Sequence, residues 1–396
     1  MKKYSSKIAL FLLVIVSAFM LSIKSNAPKN KEPEAVENKK LVKNNTSILV
    51  EYHDAVDTKK VTNKLDSLLK HINKRHDFHG ALLVAKNGKI LYDNQIGYAD
   101  FRKKKMLNKT SVFQLASVSK QFTAAAIMLL QERNQIKLTD TVNCYFPNFP
   151  YQGVTIKNLL NHTAGLPKYF WVAEHKWKKD KAPTNSEMMT LLENSDVLRY
   201  FKPGRNFDYS NTGYMVLASI VEEVSGVSFS DFVKKNIFDP LEMKDSFVYS
   251  FENDNVKENQ LIGYRLYRGW RHLKIGGTVN DAIVGDKNVY ATSEDLFKWT
   301  YGLNNGKLLS KASLDLMYSK GETIHGREVP YGFGFRINTN DEKSIYHHGK
   351  WNGFSTGLTQ YPEDDLVVIV LEHTSYNAIA SLSKKVKNIV LENFES

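Results

Sequence analysis

The chain has 396 residues, enough for one large domain or two ordinary ones with an ample core. Its 42% hydrophobic and 24% charged content describe a globular protein, and the single Cys144 excludes an internal disulfide framework. The formal charge of +12 comes with no basic repeat, Cys/His knuckle or aromatic–basic interleaving, which argues against a nucleic-acid partner.

Nine Lys against three Glu place six of the excess positive charges in residues 1–50, where they suit anionic lipid or an anionic cell wall. Met1 to Lys7 is a basic start, and Ile8 to Ile23 is an uncharged, mostly apolar run. Together they read as an export signal, with residues 1–27 as a signal peptide or N-terminal membrane anchor. Ser25-Asn26-Ala27 has the small-x-small form of a cleavage site, but Pro28 opposes cutting. Sixteen residues is short for spanning a core of about 30 Å, so both fates stay open. Residues 28–58 are rich in Lys, Glu and Asn without a sustained period and read as a flexible basic spacer. Residues 59–396 form the domain.

Val61 to Ile72 has helical periodicity. Ala81 to Ala85 and Lys89 to Tyr92 flank Asn87-Gly88, a strong two-residue hairpin signal. From Gln114 to Gln131 runs an apolar helix with a hydroxyl, Ser117, three residues before an amine, Lys120. At that spacing the two groups share a face. A serine is a weak nucleophile until a base takes its proton, and a lysine is a base near neutral pH only when burial lowers its pKa. Ser-x-x-Lys alone carries little weight: Ser67-Leu-Leu-Lys70 and Ser381-Leu-Ser-Lys384 match too, and any copy reads equally as a surface serine with a solvated lysine. Residues 150–280 hold helical stretches, notably Met188 to Leu192 and Tyr214 to Val224, and few strand signals. Strand signals return at Tyr331 to Phe335 and Leu366 to Leu371, before a final helix over about Ile379 to Leu391. Strands at both ends with helices between predict one sheet split by a helical insertion, roughly residues 150–280.

Two further polar clusters follow in order. Tyr209-Ser210-Asn211 precedes an apolar helix, and His347-His348-Gly349 ends a predicted strand. A tyrosine hydroxyl near a buried lysine can share proton transfer, an asparagine amide can hold a substrate amide, and a glycine lets backbone approach a nucleophile. Ser117-x-x-Lys120, Tyr209-x-Asn211 and His347-x-Gly349 resemble the three motifs of the penicillin-recognising serine hydrolases. Their order and spacing are similar to the branch holding class C β-lactamases, D-alanyl-D-alanine carboxypeptidases and family VIII esterases. Leu159 to Leu166, Phe201-Lys-Pro-Gly204 and Gly285 to Asp295 match secondary signatures of that branch, and the resemblance covers roughly residues 60–390.

The resemblance implies a β-lactamase/transpeptidase-like fold of the α/β (α+β) class: an antiparallel sheet with flanking helices plus a mostly helical subdomain, the active site at their junction. It implies Ser117 as acylated nucleophile, Lys120 and Tyr209 as proton acceptors and donors, and Asn211, His347 and Gly349 as substrate-binding residues. The backbone N–H groups of Ser117 and Lys350 would form the oxyanion hole. No cofactor or metal is implied. The expected substrate is a small molecule or peptide, an ester or D-amino-acid amide derived from peptidoglycan or teichoic acid, met outside the cytoplasm. Two other readings stand beside it: a non-catalytic penicillin-binding sensor or wall binder, and a weak class C-type β-lactamase. Two departures matter. A class C β-lactamase has Lys-Thr-Gly where this chain has His347-His348-Gly349, so an imidazole replaces a permanent cation. Lys287-Asn288 replaces glycines common after Gly285-Asp286. His162 reads as a loop brace and His373 as incidental, while Tyr169, Phe170 and Trp171 either line a cleft or cover the core.

Overall fold

The computed structural model describes residues 58–250, 257–340 and 343–393, all within one compact unit of the chain. The expected leader and all but the last residue of the spacer lie outside the described residues. Among the described residues, no helix is long and apolar enough to cross a membrane.

A six-stranded antiparallel sheet organises the unit. Its strands are β1 (Gly80–Lys86), β2 (Lys89–Ile96), β3 (Arg336–Asn338), β4 (Ser344–Trp351), β5 (Phe354–Tyr361) and β6 (Leu366–Glu372), in spatial order β3-β4-β5-β6-β1-β2. The N-terminal hairpin therefore closes onto the last strand of the chain, with Leu82 opposite Val370 and Val84 opposite Val368. Asn87 and Gly88 take φ of 52° and 72°, the paired left-handed conformation of a two-residue hairpin turn. β1 is apolar at every position from Ala81 to Ala85 because both faces are covered, as in strands of buried sheets. Leu82 and Val84 pack with Val368, Val370 and the helices α1 (Thr58–His76) and α5 (Ile379–Asn393), through Val61, Leu65, Leu69, Val386 and Val390. Ala81, Leu83 and Ala85 face the larger core, shared with α2 (Lys120–Glu132), α3 (Asn211–Ser225) and α4 (Ser293–Asn304).

Between residues 150 and 240 the regular elements are helices, among them Tyr169–Lys176, Asn185–Glu193 and α3. Strands too short to read in sequence lie after and around them. Phe247–Val248 and Phe113–Gln114 flank Val289–Ala291 in a three-stranded sheet, and Tyr264–Tyr267 pairs with Arg271–Lys274. Tyr331 to Phe335, where alternation suggests a strand, is a loop, and the strand begins only at Arg336. Its polar groups turn inward instead: the N–H of Gly334 donates to Tyr214 Oη at 2.8 Å, and Tyr331 is fully buried.

Candidate active site

Ser117 lies in a single 3₁₀ turn, Ala116–Ser119, that runs directly into α2 at Lys120. The turn begins from a strained backbone: Ala116 has φ of 48°, a left-handed conformation that costs a non-glycine residue about 1–2 kcal/mol. Ser117 keeps partial access to solvent, whereas Lys120 has none.

The Lys120 amine has three neighbours. It donates to Asn211 Oδ1 at 2.8 Å and to the backbone carbonyl of Asp286 at 2.8 Å, and its third direction meets Ser117 Oγ at 3.2 Å. Two of these are carbonyl oxygens, which only accept. When the amine is neutral its two remaining hydrogens serve them, and the lone pair points at the Ser117 hydroxyl. Burial pushes the Lys120 pKa down to about 7; Asp286 opposes that shift and Arg336 assists it. The amine therefore exchanges its proton near neutral pH, as a base for serine requires.

Asn211 is the first residue of α3, whose N-cap Ser210 accepts from the N–H of Gly213 at 3.2 Å. The loop before it is braced by His162, which accepts from the N–H of Ser210 at 3.1 Å and whose carbonyl accepts from the N–H of Asp208 at 2.9 Å. His162 is fully buried, so it is the loop brace that the sequence suggests. Tyr209, carried on that loop, has the Lys120 amine 5.0 Å from its ring centroid. Burial raises the Tyr209 pKa well above 10, opposed by its neighbours Ser117 and Arg336, so at neutral pH it is a phenol ready to donate.

From the other side, β4 presses its backbone onto the nucleophile turn. A Cβ at Gly349 would stand 2.5 Å from the carbonyl oxygen of Leu115 and 2.7 Å from the amide nitrogen of Ser117. Only glycine fits there. This contact sets the strand bearing Lys350 against Ser117, the two residues expected to supply oxyanion-hole N–H groups. The Lys350 side chain points away to Asn377 Oδ1 at 2.5 Å.

His347 sits differently from a group that greets a ligand. It is 1% exposed, and both ring nitrogens are engaged: Nδ1 donates to the His348 carbonyl at 2.8 Å, which leaves Nε2 to accept from the Tyr331 hydroxyl at 3.0 Å. Burial, then Lys120 and Arg336, hold its pKa well below 6.5, so the ring is neutral. A permanent cation does stand nearby, one that motif reading passes over. The Arg336 guanidinium on edge strand β3 lies 5.2 Å from the Tyr209 ring centroid and 6.0 Å from that of Tyr331. Asp286 is the other omission: its carbonyl oxygen fixes Lys120, and a main-chain acceptor leaves no mark in a sequence.

The aromatic triplet divides by depth. Tyr169 is fully buried, Phe170 stacks on Trp351 with centroids 5.4 Å apart, and Trp171 is 46% exposed. Ser67 and Lys70 are ordinary residues of α1, and Ser381 and Lys384 lie on α5, both away from the Ser117 turn. His373 is buried between the carbonyls of Ile262 and Tyr98, at 2.8 and 2.9 Å.

Residues 65–385 match the family described as Beta-lactamase. The chain is 35% identical over 325 residues to Penicillin-binding protein 4* of Bacillus subtilis, covering 78% of this chain and 71% of that protein. Among solved structures it is similar to the octameric penicillin-binding protein homologue from Pyrococcus abyssi, with TM-score 0.72 and 26% identity over 84% of this chain and 78% of that one. A penicillin binding protein from Bacillus halodurans superposes with TM-score 0.70 and 25% identity over 80% of this chain and 98% of the other. With the Ser117–Lys120 pair, the Tyr209–Asn211 loop and the Gly349 strand gathered at one place, the chain belongs to the β-lactamase family, whose fold it has and whose members include penicillin-binding proteins.

Proposed function

We propose that this protein is an exported serine hydrolase acting through an acyl-Ser117 intermediate on an ester or D-amino-acid amide of cell-wall origin. The observation that carries the reading is the Lys120 amine: fully buried, tied to two carbonyl acceptors, its third direction on Ser117 Oγ. A wall-binding sensor has no need of a serine held against a base whose pKa is near 7.

The steps follow from the groups present. Ser117 Oγ bonds to the substrate carbonyl carbon as its proton passes to Lys120. The oxyanion that forms is met by the N–H groups of Ser117 and Lys350, each such donor being worth roughly 10²–10³-fold. Collapse breaks the C–O or C–N bond, and the Lys120–Tyr209 pair returns the proton to the leaving group. Water then takes the leaving group's place, gives its proton to the same pair, and releases the acid with Ser117 restored. Asn211 spends its carbonyl on Lys120, so its amide N–H₂ is the part left for a substrate carbonyl. Arg336 favours substrates bearing a carboxylate beside the scissile bond.

The test is hydrolysis of a short-chain p-nitrophenyl ester. Ser117→Ala is expected to abolish it and Ser381→Ala to leave it intact. Equal activity in wild type and Ser117→Ala would remove the nucleophile assignment, and an inactive wild type would favour the sensor. Turnover of a chromogenic cephalosporin faster than the ester would favour the weak β-lactamase.

A further inference from the structure

Behind Lys120 lies a second buried amine that the steps above do not use. The Lys287 side chain is 3% exposed beside Asp286, which is 1% exposed. Its Nζ donates to Tyr169 Oη at 2.7 Å, to Asp286 Oδ1 at 3.3 Å and to the Ile283 carbonyl at 3.4 Å. The Tyr169 hydroxyl in turn donates to Asp286 Oδ2 at 3.1 Å. Three rings surround the amine, with centroids of Tyr169, Phe170 and Trp351 at 5.4, 5.5 and 5.0 Å. Burial lowers the Lys287 pKa, opposed by Asp286 and Asp281, and three acceptors with three aromatic faces for its three N–H donors favour the ammonium.

That ammonium has no donor left for a substrate and almost no surface. Its effect falls on the carboxylate next to it. Asp286 is the residue whose carbonyl holds Lys120, and an unpaired carboxylate buried so close would keep the proton on Lys120. The other groups facing the two amines are already committed. Asp281 accepts from the Trp351 indole and from Asn352. His162 and His347 are neutral, Tyr209 is a phenol, Tyr214 bonds to Leu160, and Arg336 repels a proton on Lys120.

We propose that Lys287 is a positioning residue for the base: it neutralises Asp286, so that Lys120 faces a balanced pair rather than a lone carboxylate and can give up its proton to become the acceptor for Ser117. The inference rests on the reading of Lys120 as base. A residue without a cation at position 287 would leave the Asp286 carboxylate with no ion-pair partner in this packing.

The experiment is kcat/KM against pH for the full chain with a p-nitrophenyl ester. In wild type the acid limb is expected near pH 7, the rate rising as Lys120 loses its proton. Lys287→Met is expected to move the limb up by about one pH unit, a loss of roughly tenfold below it that closes at high pH. Asp286→Asn leaves Lys287 as an unbalanced cation and should move the limb the other way. The double variant should return it to the wild-type position. A folded Lys287→Met with an unmoved limb overturns the proposal. If that variant does not fold, an unmoved limb in Asp286→Asn overturns it equally. Activity surviving in Ser117→Ala would instead defeat the reading of the site, which separates the two failures.

Discussion

The Arg336 guanidinium and the His347 ring lie on neighbouring strands beside Tyr209, and their surroundings differ. His347 is neutral and closed off by its own hydrogen bonds, so it serves as packing for Tyr331 and as a carrier for Gly349. Arg336 forms no ion pair among the described residues. Under the proposed function, its partner is a carboxylate on the substrate. A D-alanyl peptide with a free C-terminal carboxylate should therefore be cleaved faster than the same peptide amidated, by about 10- to 150-fold, the range of a charge-assisted hydrogen bond of ~1.5–3 kcal/mol. Arg336→Gln should erase most of that preference while leaving amidated peptide nearly unaffected. An undiminished preference in the variant would assign carboxylate recognition elsewhere. Arg336 was not legible in the sequence because a lone arginine on an edge strand has no periodic or motif context. Ser117, Lys120, Tyr209 and Asn211 were legible because their spacing within and between motifs is tied to one geometry.

At the scale of elements, the site depends on how closely β4 meets the 3₁₀ turn. Gly349→Ala places a methyl 2.5 Å from the Leu115 carbonyl and 2.7 Å from the Ser117 amide, well inside contact distance. Backbone must move, and the two elements that move carry the nucleophile and the expected oxyanion donors. Loss of one such donor costs roughly 10²–10³-fold in kcat. The variant is expected to lose at least that much kcat while remaining folded, checked by steady-state kinetics beside a thermal melt. Near-wild-type kcat would mean the contact is slack. The hairpin, α1, α3 and α5 could be read from sequence because turn chemistry and 3.6-residue periodicity are local. The loop at Tyr331 to Phe335 could not, because its alternation comes from tertiary demands: Tyr331 reaches His347, and the Gly334 N–H reaches Tyr214.

For the whole molecule, burial of titratable groups sets how stability responds to pH. His162, His347, His348 and His373 all have pKa values lowered by burial, those of His348 and His373 to about 4. Each contributes stability that is present above the unfolded value of about 6.5 and lost as pH falls through the folded one. Glu372 works in the opposite sense. Burial raises its pKa to about 7, so its contribution is present below its ordinary 4.5 and lost as pH rises through 7. Burial also raises the carboxyls of Asp93 and Asp295, but the four imidazoles outnumber these three acids, and the melting temperature is expected to rise between pH 5 and 6.5. A melting temperature that falls from pH 5 to 6.5 would contradict the burial of these rings. Glu372→Gln should steepen the rise by removing one of the opposing groups.

The pairing of β1 with β6 joins residues nearly the whole domain apart, Gly80 with Glu372 and Lys86 with Leu366. During synthesis the N-terminal hairpin emerges early, yet one edge of β1 has no partner until the last strand exists, and α1 has no α5 to pack on. Contacts of such long sequence separation form late and slowly. One edge of the first strand thus stays bonded to water until its neighbour, almost 300 residues downstream, has been made. The sheet is therefore completed only once the last strand exists and the two ends of the domain are free to meet.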